Sequence, residues 1–249
     1  LIYFFFLNSS VFSNSFTLES KNIKILNNGE QINSDKGVAI SSDGNLEVKS
    51  DQFKYFKSLD TLKSNGNGEL LVKSEKIKIK YDSGVFDQRN MTFTANGNVE
   101  VFQTDGVLVI KTNKVFYDQK KNIILSDEIT KIEDNIGNIY FFDNFKFELN
   151  NNLLKVKNLI VKDAKQNIFK TPLAYINTNS GKVFGKDISI ELKNQLNNNE
   201  NNYRLKGNSG TIEENKSTIT NGVFTNCKKR EGCPPWTFSA KKITHDKNK

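Results

Sequence analysis

The sequence contains very few of the residues that carry most catalytic and metal chemistry. In 249 residues it has one histidine, His245, and two cysteines, Cys227 and Cys233. His245 stands beside Asp246, but no nucleophile motif accompanies this pair. The carboxylates are scattered, and no group of Asp, Glu, His and Cys residues has the spacing of metal ligands. The composition therefore predicts a protein that is not an enzyme and that uses no metal and no cofactor.

Arginine is also scarce, since only Arg89, Arg204 and Arg230 are present, so the net charge of +8 comes almost entirely from lysine. Proteins that bind nucleic acid usually favour arginine and cluster their basic residues on one face. Here lysines alternate with aspartates and glutamates, which is typical of a solvated outer face. We therefore expect no nucleic-acid partner. A phosphorylated lipid or an anionic membrane surface is a weaker alternative explanation of the charge.

Two further absences indicate the fold class. No segment keeps apolar residues at spacings of three and four over three helical turns, and the chain has only three prolines. Short segments that alternate polar and apolar residues dominate instead, separated by Asn-Gly, Asp-Gly and Ser-Gly pairs. The clearest predicted hairpin turns are Asn65–Gly68 and Asn96–Asn98. The sequence thus predicts an all-β protein.

Long hydrophobic runs are absent except at the start of the sequence. Residues Leu1–Leu7 are apolar and are followed by small and polar residues up to Ser15. Such a run is too short to span a bilayer but fits the hydrophobic part of a secretory signal. We therefore expect residues 1–15 to be a signal peptide with a clipped start, and the protein to be exported. A buried first strand is the alternative.

What the sequence does contain is one strand pattern, repeated several times. The clearest copies begin at Gly44, Gly68 and Gly106, and each has apolar residues two, four, nine and eleven positions after the glycine. A polar corner such as Lys49–Asp51 lies between the two apolar pairs. Because side chains alternate across a strand, the pattern gives each strand one apolar and one polar face. Each copy predicts a strand, a corner and a second strand, arranged in two facing sheets.

The same alternation predicts which side chains face inward. Seven apolar residues are expected there: Leu46, Val48, Leu70, Val72, Leu108, Ile110 and Phe116. Their polar neighbours are expected to face solvent: Glu47, Lys49, Lys73 and Lys111. With the aromatic residues added, the candidate groove residues are Leu46, Val48, Phe53, Tyr55, Leu70, Val72, Phe102, Leu108, Ile110, Phe116 and Tyr117. The pattern fits both a filled core and an open apolar groove, because both are apolar on one face.

The two cysteines lie near the end of the sequence, separated by five residues and followed by Pro234, Pro235 and Trp236. In an exported chain, two cysteines most simply form a disulfide, either with each other or with another segment. A bridge between Cys227 and Cys233 would close a short loop and add only about 2 kcal/mol of stability. Both pairings remain open from the residues alone.

The repeat resembles the OstA-like β-jelly-roll repeat of lipopolysaccharide (LPS) transport proteins in Gram-negative bacteria. Gly97–Val101, Asp105-Gly106 and Tyr117-Asp118 carry this resemblance. The segments Phe224–Cys227 and Cys233–Asp246 are similar to the Thr-x-Cys and Pro-x-Trp-x-Ile-x-Ala pattern of the periplasmic domain of the LptD family, the outer-membrane LPS-assembly proteins. The resemblance covers about residues 16–246.

This resemblance implies an open, twisted β-jelly roll of antiparallel strands over residues 16–225, with an apolar groove that carries LPS acyl chains. Residues 226–249 would form the last strands before a C-terminal β-barrel, to which a cysteine would bridge. The implied location is the periplasmic side of the Gram-negative outer membrane. The implied partners are LPS, other jelly-roll LPS-transport proteins joined through edge strands, and the outer-membrane lipoprotein partner of the barrel. The alternatives are a stand-alone, LptA-like periplasmic bridge protein and a structural β-repeat surface protein with a filled core.

Overall fold

The computed structural model describes residues 16–103, 108–134, 136–193, 203–213, 215–227 and 236–246. In this part of the chain the regular structure is β-strand, with two short 3-10 helices and no α-helix. No helix in these ranges has the length and hydrophobicity to cross a bilayer. The predicted signal peptide, residues 1–15, lies outside the described residues. The prediction of an all-β protein is confirmed.

The described strands form one large sheet of seventeen strands. The first nine are β1 (Phe16–Leu26), β2 (Gln31–Ser41), β3 (Leu46–Phe56), β4 (Thr61–Val72), β5 (Ile77–Asp87), β6 (Thr92–Gln103), β7 (Val109–Asp118), β8 (Ile123–Ser126) and β9 (Thr130–Glu133). The others are β10 (Ile139–Phe142), β11 (Asn144–Glu148), β12 (Leu153–Lys162), β13 (Ile168–Asn177), β14 (Val183–Leu192), β15 (Tyr203–Ile212), β16 (Lys216–Thr225) and β17 (Phe238–Asp246). The 3-10 helices are Asn27–Gly29 and Leu149–Asn151.

The sheet is an antiparallel meander in which each strand pairs with the strands next to it in the chain. Two interrupted strands occupy its middle. Strands β8 and β9 both pair with β7, and on their other side they pair with β11 and β10. Strands β10 and β11 in turn both pair with β12, and the meander continues to β17.

The long strands bend near their middle, where the pairing register shifts and where, in β3, β5 and β7, the buried positions change parity. In β7, Ile110 and Thr112 are buried, Lys114 is exposed, and Val115 and Tyr117 are buried again. One extra residue in a strand, a β-bulge, bends it and increases its twist. At the β6–β7 shift, Gly97 and Asn98 of β6 lie opposite Asn113 of β7, so the extra residue belongs to β6. The apolar side chains of both halves of the two strands thus stay on the inner face while the strands change direction.

Residues in the left-handed backbone conformation lie at the bends of alternate strands. Residues with positive φ lie in the middle of β2, β4, β6, β12, β14 and β16, and they are Lys36, Asn67, Asn98, Asn158, Asp187 and Asn221. Asn and Asp adopt this conformation more readily than other non-glycine residues. Hydrogen bonds from three of the asparagine side chains hold the bends: Asn67 to Asp51, Asn98 to Asp82 and Asn158 to Asp143, at 2.6, 2.8 and 2.6 Å.

The hairpin turns predicted at Asn65–Gly68 and Asn96–Asn98 are therefore wrong. Both segments lie inside a strand, β4 and β6, at shifts of the pairing register. An Asn-Gly pair supplies positive φ, and a bulge needs this conformation as much as a hairpin turn does. The prediction of a strand, a corner and a second strand in each repeat copy is confirmed for the Gly68 copy and is wrong for the Gly44 and Gly106 copies, where the bend lies within one strand. The corner after Gly68 is the β4–β5 turn, but the corners Lys49–Asp51 and Lys111–Asn113 lie within β3 and β7.

The row of bends divides the sheet into two halves, which we call leaf A and leaf B. A ladder of cross-strand partners lines the inner face of each leaf and defines it. The leaf A ladder consists of Leu18, Ala39, Val48, Leu70, Ile79, Val101, Ile110, Ile132, Tyr140, Val161, Phe169, Ile190, Leu205, Phe224 and Phe238. The leaf B ladder consists of Ile25, Ile32, Tyr55, Leu62, Phe86, Phe93, Tyr117, Ile124, Phe147, Leu154, Ile176, Val183, Ile212, Ser217 and His245.

Contacts between distant strands show that the two leaves face each other. Phe16 lies at the leaf A end of β1, and Phe86 lies in leaf B of β5, yet their ring centroids are 5.0 Å apart. In a flat sheet, four strand spacings and nine residues would separate them by about 35 Å. Similarly, Gln103 in leaf A of β6 donates a hydrogen bond of 2.7 Å to Asn152, which precedes leaf B of β12. Leaf A thus packs against leaf B of strands four to six places later.

The predicted jelly roll is confirmed as an antiparallel, two-layered structure, but its two layers are the leaves of one bent sheet. Its outer face is mostly polar. Glu47, Lys49, Lys73 and Lys111 point outward, as predicted, and Glu47 pairs with Lys49 at 3.0 Å and Lys73 at 3.4 Å. Such exposed pairs contribute little to stability, so the apolar ladders hold the fold together.

Replacing Gly97 with alanine tests the bend. Gly97 has a φ of 77° in the β6 bulge, where a Cβ atom would collide with Asp82 and disturb its hydrogen bond to Asn98. Gly44 has a φ of 70° in a hairpin turn and has open space around it. Gly44→Ala should therefore cost only the backbone strain, about 1 kcal/mol. Gly97→Ala should cost at least about 1 kcal/mol more, as measured by urea unfolding; equal losses would contradict this role for the bend.

Candidate functional site

The inward-facing residues predicted from the repeat lie mainly in the packed interior. Leu46, Val48, Leu70, Val72, Leu108 and Ile110 are buried in leaf A, so their predicted orientation is confirmed. Phe53 and Tyr117 are buried in leaf B, and Tyr55 is half-buried there, with its hydroxyl 3.4 Å from Asp60. In this part of the protein the two leaves are in close contact, so the inner face forms a filled core.

The inward orientation of Phe116 and the placement of Phe102 in the groove are wrong. Phe116 lies between Val115 and Tyr117, which are both buried, so it points to the outer face of leaf B. The alternation in β7 reverses between Thr112 and Val115, opposite the bulge in β6, before this residue. Phe102 follows the buried Val101 and points outward in leaf A, where the Lys80 ammonium lies 5.5 Å from its ring centroid.

The two leaves separate towards the C-terminal strands and leave a cleft. Its cavity volume is about 40 Å³, and it lies between leaf A of β10 and β12–β14 and leaf B of β14–β17. Apolar residues form its walls: Tyr140, Val161, Ile168, Phe169, Val183, Ile190, Leu192 and Ile212. Polar residues line the remainder: Asn138, Asp163, Asn167, Ser217 and His245. A smaller cavity continues from it past Leu205, Ile219 and Ile243.

The leaf A ladder is uncovered at its C-terminal end. Tyr203, Phe224, Trp236 and Phe238 form a chain of ring contacts, with centroids 5.8, 6.1 and 5.8 Å apart. Phe238 is 69% exposed although it occupies an inner-face position opposite Phe224. The leaf B ladder is uncovered at its N-terminal end instead, where Ile25 in β1 is 67% exposed. The inner surface is therefore accessible at opposite ends of the two ladders.

Hydrogen bonds fix the uncovered end. The Thr225 hydroxyl donates to the Trp236 carbonyl at 2.9 Å, and the Arg204 guanidinium donates to the Cys227 carbonyl at 2.7 Å. The Cys227 thiol is not part of a disulfide in the structure and lies 3.9 Å from the Trp236 carbonyl oxygen. Cys233 lies outside the described residues, so the disulfide stays a prediction.

Three buried tyrosines remain protonated in the interior. Burial raises the pKa values of Tyr81, Tyr117 and Tyr140 well above the ordinary value of a phenol. The Tyr140 hydroxyl also donates to an Asp134 carboxylate oxygen at 3.0 Å, beside the cleft. Among the described residues, no three His, Cys, Asp or Glu side chains come together as metal ligands. The site that this arrangement offers is an apolar surface, with polar groups at its rim.

Sequence reasoning missed the residues of the cleft and of its uncovered end. The clearest repeat copies, from which the site residues were predicted, form the packed part of the interior. The signal for Phe169, Ile190, Leu205 and Phe224 was present, because each alternates with polar neighbours in the same way. What the sequence does not indicate is which stretches of the two ladders cover each other.

Comparisons with known proteins give similarities in structure but none in sequence. No known protein family and no curated protein matches the chain in sequence. Among solved structures it is similar to LptH, described as the LptA-homologous periplasmic component of the lipopolysaccharide transport device of Pseudomonas aeruginosa. The match has 16% identity and a TM-score of 0.38, and it covers 44% of this chain and 81% of that one. A similarity at this level identifies neither a ligand nor a partner of this chain.

Alkaline titration tests the buried tyrosines. The unfolded chain releases its tyrosine protons near pH 10, whereas Tyr81, Tyr117 and Tyr140 retain theirs in the folded protein. Above about pH 10 the folded state binds more protons, so stability should fall by about 1.4 kcal/mol per pH unit for each tyrosine. Urea unfolding at several pH values should show this slope. In the Tyr81→Phe variant the slope should be smaller by the contribution of one tyrosine, about 1.4 kcal/mol per pH unit. An unchanged slope would contradict the raised pKa of Tyr81.

Proposed function

We propose that this chain is a periplasmic lipid-conduit domain of LPS transport, in which the leaf A ladder receives the acyl chains. One observation carries the proposal. The leaf A ladder is apolar in all of its paired positions and passes from the packed interior, along the cleft, to the exposed ring of Phe238. At about 4.8 Å per strand the ladder is about 67 Å long.

The chemistry of this surface fits an acyl chain. Removing a CH₂ group from water is favourable by about 0.8 kcal/mol, so a surface that holds a hydrocarbon chain must remain apolar over its whole length. The leaf B ladder does not meet this condition, because it ends in Ser217 and His245 at β16 and β17. The exposed part of leaf A, around Phe224, Trp236 and Phe238, is the expected contact surface for the lipid.

Polar groups stand where the sugars and phosphates of an LPS molecule would remain in water. Asn138, Asn167 and His245 line the cleft beside its apolar walls. The cleft volume of about 40 Å³ is smaller than an acyl chain requires. Binding within the cleft would therefore require the leaves to move apart, and the most exposed positions would be occupied first.

The uncovered ends of the ladders also support a proposal about partners. Strands β1 and β17 lie at the two ends of the meander, next to the exposed Ile25 and Phe238. A strand at the edge of a sheet can pair with an edge strand of another protein. We propose that other jelly-roll LPS-transport proteins dock there and extend the apolar surface. Two forms fit this arrangement: the N-terminal domain of an LptD-type assembly protein, with the lipoprotein partner of its barrel, and an LptA-like bridge at the periplasmic side of the outer membrane.

The filled core formed by β3–β9 favours a second candidate function, a structural β-repeat protein that carries no lipid. Val48, Leu70, Ile79 and Val101 are almost fully buried and leave no room for a ligand in the present conformation. The two candidates differ in what the exposed part of leaf A contacts in the cell.

Photo-crosslinking distinguishes the two functions. A benzoylphenylalanine at Phe238 lies on the inner surface of leaf A, whereas one at the adjacent Ser239 points to the outer face. In cells, LPS should be captured at Phe238 and at least about tenfold less at Ser239, because acyl chains gain free energy only on the apolar face. Equal capture at both faces, or none at any site in folded protein, would contradict the lipid-conduit function.

A further inference from the structure

On the outer face of leaf A, one row of charged side chains is interrupted by apolar side chains after β9. Across β3–β7 the outward cross-strand partners alternate in charge: Lys49, Glu69, Lys80, Glu100 and Lys111. The same row then continues through β9, β10, β12 and β13 as Lys131, Phe141, Ile160 and Lys170. Two apolar residues thus stand where the pattern would place charges, with lysines on both sides of them.

This arrangement of side chains lowers the stability of the isolated fold. Lys111 and Lys131 are directly opposite each other, and like charges in this arrangement destabilise a sheet. Phe141 and Ile160 remain 41% and 39% exposed, and Ile129, which precedes β9, is also exposed. We call Ile129, Lys131, Phe141, Ile160 and Lys170 the outer patch.

The row of outward side chains that contains the outer patch carries only positive charges from β7 to β13: Lys111, Lys131 and Lys170. The rows on either side are mixed, with Glu133, Lys162 and Glu191 on one side and Asp143 and Asp187 on the other. Lys111 pairs with Glu100, and Lys131 pairs with Glu133, both at 3.3 Å. These pairs are exposed and weak, so the lysines can exchange them for the anionic groups of a partner.

A groove lies next to Ile160 on the same face. Its cavity volume is about 340 Å³, and its lining includes Ile160, Lys170, Thr171 and Pro172, with Asp187 on its far side. It offers space for hydrocarbon next to a lysine ammonium group. An apolar centre, a cation on each side and an adjacent groove match the chemistry of an anionic phospholipid.

We propose that the outer patch docks on an anionic membrane surface. Apolar side chains bind at the boundary between headgroups and acyl chains, and flanking lysines bind acidic headgroups. Phe141 and Ile160 would enter this boundary, while Lys131 and Lys170 contact phosphates. The patch lies on the opposite face of the sheet from the lipid conduit proposed above, so either proposal can fail without the other.

Co-sedimentation with vesicles tests the proposal. The protein should bind vesicles of phosphatidylglycerol and phosphatidylcholine and should not bind phosphatidylcholine alone. In the double variant Lys131→Gln and Lys170→Gln, the affinity should fall roughly 25-fold, about fivefold for each lysine. The affinity of the double variant Phe141→Ser and Ile160→Ser for the vesicles should fall about tenfold or more, because its apolar contact is removed. Circular dichroism should show that both variants remain folded.

Phe184→Ser is the matched control. Phe184 is 44% exposed, which is close to Phe141, but it lies on the outer face of leaf B, opposite Tyr175. Its replacement should leave vesicle binding unchanged. The proposal is overturned if the native protein does not bind anionic vesicles, or if Phe184→Ser loses as much binding as the patch variants. Binding to immobilised polyglutamate that depends on the patch, without vesicle binding, would also overturn it and would identify an acidic protein segment as the occupant.

Discussion

The structure depends on a bend in the middle of the long strands, which is set in alternate strands by a residue of positive φ. Each such residue costs roughly 1 kcal/mol when it is not glycine, and side-chain hydrogen bonds such as Asn98 to Asp82 support it. Without the bend, a meander of this length would expose one apolar face along its whole extent. With it, the two ladders cover each other. Burying a large apolar side chain contributes about 2 kcal/mol, so the burial outweighs the strain.

The same bend determines where the interior is accessible. Because leaf A packs against leaf B of strands four to six places later, the first strands leave leaf B uncovered and the last strands leave leaf A uncovered. The exposed Ile25 and Phe238 mark these two ends. The geometry of the fold thus places an apolar surface at the strands where a lipid or another jelly roll would meet it. It also keeps that surface on the opposite side of the sheet from the outer patch at Phe141 and Ile160.

Much of this could be predicted from alternation alone, because a strand with one buried face has a period of two. Alternation identified the all-β class and the inward orientation of residues such as Val48 and Leu70. It failed at Phe116, since a bulge shifts the period by one residue, and at Asn65–Gly68, since Asn-Gly suits a bulge and a turn equally well. The cleft could not be predicted, because the contact between Phe16 and Phe86 joins strands that are distant in the sequence.

A nuclear Overhauser measurement between the aromatic rings of Phe16 and Phe86 tests the bent sheet most directly. In the structure their ring centroids are 5.0 Å apart, so selectively labelled protein should give cross-peaks between the two rings. A flat sheet would place them about 35 Å apart and would give none. Cross-peaks between these rings, present in the folded protein and lost on unfolding, are the result that the account predicts. Their absence from well-resolved spectra of the folded protein would contradict the packing of leaf A on leaf B.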